Sequence, residues 1–198
     1  MNRLTLTTAA LLTLAAPALA ENRQEAVFAG GCFWCVESDF DKLDGVLETT
    51  SGFAGGTLVN PTYRDVTAGG TGHREVVQVI YDADIVDFDT LAEYLLRTVD
   101  VRDNGGQFCD RGFGYTTAIY AQSEAQLTES LQVRATLAEE LGAEIVTEIV
   151  EGGTFYPAEE YHQDYYLKNP LRYRFYRSRC GRDAQVERIW GEHVAFVN

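Results

Sequence analysis

Residues 26–36 read Ala26-Val27-Phe28-Ala29-Gly30-Gly31-Cys32-Phe33-Trp34-Cys35-Val36. A short apolar run that ends on two glycines reads as a strand entering a tight turn. Phe33, Val36, Phe40 and Leu43 then recur at helical spacing, and Gly45 stands where a C-cap glycine would. The unit is strand, turn, helix, with a cysteine at the point where one becomes the other.

Outward from this unit the chain alternates in the same manner. Val46 to Ala54 alternates weakly as a strand, and Gly55 to Gly72 reads as loop. Glu75 to Tyr81 is β-branched and strand-like. Leu91, Tyr94, Leu95 and Thr98 mark a helix capped by Asp89 or Thr90. Asp100 to Gly114 is a second polar, glycine-rich loop, and Tyr115 to Ala121 is a strand. Ser123-Glu124-Ala125-Gln126 is a capping box that opens a helix, stopped by Gly142 after Leu141. Glu144 to Val150 reads as a strand, Glu159 to Leu167 as helix, and the tail after Pro170 has no clear period. Strands mixed with helices, without repeat or linker, predict an α/β (α+β) fold: a two-layer sandwich of a mixed sheet with flanking helices.

The chain has 198 residues, enough for one domain with a sizeable core. Thirty acidic against 16 basic residues give a net charge of −14. That balance excludes a general nucleic-acid binder, which needs a basic face, and speaks against docking on anionic lipid. Four cysteines are too few for a disulfide-dense miniprotein.

Residues 1–20 read as a secretory signal: Arg3 is the only charge, Leu4 to Ala16 carries none, and Ala18-Leu19-Ala20 offers a cleavage site. Thirteen residues of helix reach roughly 20 Å, short of the ~30 Å core of a bilayer. The expected mature unit, residues 21–198, is one catalytic domain, periplasmic or secreted, free of the membrane and monomeric. Its only methionine, Met1, would leave with the signal.

Cys32 carries the chemistry. At the start of a helix, free amide N–H groups and the positive end of the dipole favour thiolate, so its pKa is expected below about 8.5. The two glycines let the backbone turn tightly and are expected to leave the sulfur exposed, with Phe33 and Trp34 as an apolar wall. Cys32-Phe33-Trp34-Cys35 is also a C-x-x-C motif, which keeps a thiol–disulfide oxidoreductase open as an alternative. A zinc site needs a second ligand pair, and His73, His162 and His193 lie far apart, so no metal is expected.

Five ordered blocks extend the motif: Gly31-Cys32-Phe33-Trp34 with Glu37, Asn60-Pro61-Thr62-Tyr63, Gly72-His73-Arg74-Glu75-Val76-Val77, then Gln107, Asp110, Gly112 and Tyr115, and finally Tyr161-His162-Gln163 with Lys168-Asn169-Pro170. In these the chain resembles the type A peptide methionine sulfoxide reductases from about Val27 to Pro170. The resemblance implies a ferredoxin-like core with a long irregular C-terminal tail. It implies reduction of methionine sulfoxide, the S epimer at sulfur, protein-bound or free, through a cysteine sulfenic acid and an intramolecular disulfide. Cys32 is then the nucleophile, Glu75 the general acid, and Phe33 and Trp34 the pocket for the substrate methyl group. Tyr63 and Tyr115 hydrogen-bond the sulfoxide oxygen, and Asp110 helps to order the site. Glu75 needs a raised pKa to deliver a proton near pH 7.

Three thiols could close the disulfide. Cys180 lies in the tail, where the family commonly keeps its resolving cysteine. Cys35 is the alternative, one helical turn from Cys32, and Cys109 or a relay is the third route. No bound cofactor is expected, and an external thioredoxin-like dithiol would reduce the disulfide. Phe108 occupies a place where glycine is common in the family.

Overall fold

The computed structural model describes residues 22–191, so the expected signal segment lies outside the described residues. In chain order the elements are β1 (Arg23–Gly30), α1 (Phe33–Phe40), β2 (Val46–Ala54), α2 (Tyr63–Ala68), β3 (Arg74–Asp82), α3 (Phe88–Arg97), β4 (Gly106–Gln107), β5 (Asp110–Arg111), β6 (Thr117–Ala121), α4 (Glu124–Leu141), β7 (Glu148–Glu151), β8 (Tyr156–Pro157), α5 (Tyr165–Lys168), α6 (Pro170–Cys180) and α7 (Arg182–Trp190). The main sheet has the order β7-β6-β1-β3-β2-β8, and β4 and β5 form a separate hairpin. Its four central strands are antiparallel, while β7 joins β6 in parallel. The path β1-α1-β2-β3-α3-β6 with the spatial order β6-β1-β3-β2 is the split βαβ of a ferredoxin-like core. Both the fold class and that core agree with the sequence.

Strand alternation separates two faces. Phe28, Phe53, Val77, Val79 and Ile119 join Phe33, Val36, Phe40, Leu91 and Leu95 in the main core. Phe28 stacks on Phe40 with ring centroids 5.0 Å apart, which seats α1 on the sheet. Val27, Ala29, Ala54, Val76, Ala118 and Tyr120 face the other way in a smaller cluster. Glu75 has the parity of Val77, so its side chain points to the face that carries α1. The last ladder pair of β1 with β3 is Phe28 with Val77, so the start of α1 and Glu75 lie at the same end of the sheet.

Several local expectations shift. The loop at 55–72 contains α2, started by a capping box in which Thr62 and Asp65 bond reciprocally. α3 is capped by Asp87, not by Asp89 or Thr90. The stretch 159–167 is broken: a 3₁₀ turn at Glu160–His162 is separated from α5 by Asp164, whose φ is 52°. The tail is not irregular but forms α6 and α7, divided by Gly181 at φ 67°. α6 buries only Tyr173, so it has no apolar period to read. Charge holds it instead. The buried Asp39 carboxylate of α1 pairs with Arg177 at 2.8 Å, and Arg182, also buried, lies 3.8 Å from Asp39 and donates to the Gly30 carbonyl.

Candidate active site

Cys32 is the N-cap residue of α1, as the strand–glycine–helix reading requires. Gly31 has φ +85°, and a Cβ there would stand 2.5 Å from the Cβ of Gln107. Only glycine lets the chain turn so closely against the loop that delivers the rest of the site. Gln107 is fully buried and holds that loop through its amide, which accepts from the Asp100 N–H and donates to the Asp100 carbonyl.

Glu75 is buried beside the start of α1, and its Oε2 accepts the backbone N–H of Phe33 at 3.0 Å. Burial pushes its carboxyl up to about 8, with the nearby Asp110 and Cys35 charges adding to the rise. The Phe33 N–H and the Tyr115 hydroxyl partly offset this by hydrogen bonding to the carboxylate. Glu75 therefore holds its proton near neutral pH. Tyr63, at the first residue of α2, and Tyr115, in the turn before β6, both lie within reach of the Glu75 charge, which raises their pKa values. Burial pushes Tyr63 up to about 12 and Tyr115 further, so both hydroxyls remain donors.

Phe33 and Trp34 form the apolar side. Trp34 stacks on Tyr165 with centroids 3.7 Å apart, and its Nε1–H donates to His162 Nδ1 at 3.1 Å. Burial lowers the His162 pKa, which keeps the ring neutral and Nδ1 free to accept. A groove of about 460 Å³ opens here, lined by Trp34, Tyr63, Tyr161, His162, Tyr165, Arg172 and Tyr176.

Tyr176 is the functional residue that the sequence hid. Its hydroxyl donates to Asp110 Oδ2 and lowers the Cys32 pKa against the effect of burial, and its ring meets Trp34 edge-on at 6.0 Å. Asp110 thus orders the site through Tyr176. One tyrosine among 11, in a tail without period, gives no sequence signal.

The Cys32 sulfur departs from expectation in two ways. It is buried, with 7% of the residue exposed. Its thiol is also pushed well above the usual cysteine range, first by burial, then by Cys35 and by the Glu75 charge. Burial outweighs the field at the helix start. Cys35 is also buried, and its pKa is lowered by a hydrogen bond with Cys32 and then by Arg182 and Arg177. Arg182 and Arg177 thus act on Cys35 in the opposite sense to the burial that raises Cys32.

Cys109 and Cys180 are joined in a disulfide, with Cα atoms 5.1 Å apart. Cys180, expected to resolve, is therefore not a free thiol in this structure. The neighbouring Phe108 stands at φ 54°, a conformation that suits the glycine common there, and the Arg182 guanidinium lies 4.9 Å over its ring.

The structure thus brings Cys32, Cys35, Phe33, Trp34, Glu75, Tyr63, Tyr115 and, through Tyr176, Asp110 to one place. Comparison with known proteins converges on one family. The profile described as peptide methionine sulfoxide reductase matches residues 24–194. The chain is 53% identical over 178 residues to peptide methionine sulfoxide reductase MsrA 2 of Rhizobium meliloti, covering 90% of this chain and 89% of that one. Among solved structures it resembles methionine sulfoxide reductase A of Corynebacterium diphtheriae, with TM-score 0.72, 34% identity and 76% of each chain covered. It also resembles reduced Mxr1 of Saccharomyces cerevisiae, with TM-score 0.71, 30% identity and 75% and 87% covered. The same yeast protein in complex with Trx2 shares the fold at 23% identity, with TM-score 0.52 and 76% and 89% covered.

Proposed function

The chain belongs to the peptide methionine sulfoxide reductase family, and from that premise we propose how its own residues divide the work. The enzyme is an oxidoreductase that reduces peptide-methionine (S)-S-oxide to methionine. Cys32 attacks the sulfoxide sulfur. Glu75 gives its proton to the sulfoxide oxygen, and Tyr63 and Tyr115 donate hydrogen bonds to it as charge develops there. Phe33 and Trp34 hold the methyl group. The oxygen passes to Cys32 as a sulfenic acid, methionine leaves, and the substrate sulfur has gained the two electrons that Cys32 lost.

The observation that carries this reading is the Glu75–Phe33 hydrogen bond. It places a carboxyl that stays protonated to about pH 8 against the backbone next to the nucleophile. Ionised Glu75 raises the Cys32 pKa, so thiolate and carboxylate disfavour each other. The productive pair is thiolate with neutral acid. Glu75 regains its proton from solvent water, for which a cavity of about 80 Å³ beside it, also lined by His73 and Tyr115, has room.

The sulfenic acid then condenses with Cys35, giving a Cys32–Cys35 disulfide and water. What supports Cys35 over Cys180 is its place as a free, buried thiol one helical turn from Cys32, together with the Cys109–Cys180 bond. A thioredoxin-like dithiol reduces the new disulfide. What supports a mature chain, residues 21–198, outside the cytoplasm is the signal-like reading of residues 1–20. A simple thiol–disulfide oxidoreductase would use the C-x-x-C pair alone and has no need of a protonated Glu75. Reduction of N-acetyl-methionine (S)-sulfoxide amide by the purified chain with dithiothreitol, lost in Cys32→Ser, tests the reading.

A further inference from the structure

Helix α6 turns one face to solvent. Leu171, Phe175 and Arg179 follow at four-residue spacing along it, with Arg172 on one flank and Arg174 on the other. Leu171 and Phe175 are 75% and 73% exposed. Arg172, Arg174 and Arg179 are exposed too, and none has a hydrogen bond or ion pair among the described residues. α6 carries no acidic residue, although the chain's net charge is −14. The face is thus an apolar stripe edged by unpaired cations, on a protein whose overall charge repels acidic chains.

This face shares an edge with the active-site groove. Arg172 and Tyr176, one turn apart on α6, line the groove over Trp34. We propose that the outer face of α6 is a docking strip for the polypeptide that carries the oxidised methionine, and that it selects segments with acidic and apolar residues beside that methionine. The proposal rests on the sulfoxide reductase reading and adds to it the class of protein substrate. An extended chain advances about 3.4 Å per residue, so two or three residues beyond a sulfoxide lodged in the groove suffice to cover Leu171 and Phe175. Acidic side chains there meet Arg174 and Arg179, which desolvate no partner of their own to receive them. Arg172 stands where groove and strip join.

The test uses the full chain with three substrates: an (S)-sulfoxide peptide flanked by Glu and Leu, the same peptide flanked by Lys and Ser, and N-acetyl-methionine (S)-sulfoxide amide. The wild type is expected to favour the Glu/Leu peptide in kcat/KM. In Arg174→Glu/Arg179→Glu that preference falls about 10-fold or reverses, as two exposed charges change sign. Phe175→Ser lowers kcat/KM for the Glu/Leu peptide through KM. Neither variant changes reduction of the small amide, and raising salt flattens the wild-type preference. An unchanged ratio between the two peptides in the charge-reversed variant overturns the proposal. So does a result in which only the KM for the dithiol donor moves, which would give the strip to that partner. Failure of the wild type to reduce even the small amide would instead overturn the functional reading beneath it.

Discussion

The backbone N–H of Phe33 donates to Glu75 Oε2 at 3.0 Å, so the residue after the proposed nucleophile is tied to the residue proposed to protonate the substrate. One bond connects β3 to the first turn of α1 and fixes the Glu75 carboxyl against the residue that follows Cys32. The geometry follows from the sheet: Glu75 shares the parity of the core residues Val77 and Val79, yet sits at the strand end, where α1 begins.

Glu75→Gln keeps the shape and removes the proton. It is expected to slow the chemical step roughly 10²-fold or more, read as single-turnover methionine release. In the wild type that step declines as pH rises through about 8, where Glu75 ionises. An unchanged single-turnover rate in the variant removes the assigned role.

The same substitution predicts a stability change of opposite sense. Glu75 has a folded pKa of about 8 against 4.5 for the free group, so between these values the folded state binds more protons than the unfolded one. Its contribution to stability is complete at low pH and is lost as pH rises through that window. Glu75→Gln should therefore gain stability over the wild type between about pH 5 and pH 8, measured by urea unfolding. A constant difference across that range contradicts the burial argument.

Tyr176→Phe removes a hydroxyl that lowers the Cys32 pKa. The acid limb of kcat/KM against pH should move to higher pH, with substrate KM little changed. A uniform loss of activity at every pH would mark Tyr176 as a packing residue only.

Cys35→Ser is expected to release about one methionine per enzyme and then stall with Cys32 as a sulfenic acid. Cys109→Ser/Cys180→Ser should continue to turn over with a dithiol donor. A stall in the double variant would return the resolving role to Cys180.

The Cys109–Cys180 bond closes a loop of 71 residues between the segment bearing Asp110 and the helix bearing Tyr176. Its loss should destabilise the fold by about 2–4 kcal/mol, read by denaturant unfolding under non-reducing conditions. An unchanged midpoint would mean that the ion pairs from Asp39 hold α6 and α7 unaided.

Local signals made much of this legible. Ser123 and Gly142 bound α4 to the residue, and the Gly-Gly-Cys turn placed Cys32. What escaped depends on partners distant in sequence. α6 and α7 are held through Arg177 and Arg182 to Asp39, which no periodicity reveals. Tyr176 gains its role only when Asp110 and Cys32 arrive beside it. Burial of Cys32, which reverses the expected direction of its pKa, is likewise a tertiary effect. α2 was locally encoded by Thr62 and Asp65, but glycine-rich surroundings concealed it.

The most direct measurement is a single turnover without reductant, with one equivalent or more of an (S)-sulfoxide peptide, followed by mass mapping of the protein. The account predicts about one methionine released per chain and a new Cys32–Cys35 disulfide beside an intact Cys109–Cys180 bond. Methionine formation by Cys32→Ser, or an oxidised product that leaves Cys32 a free thiol, would contradict it.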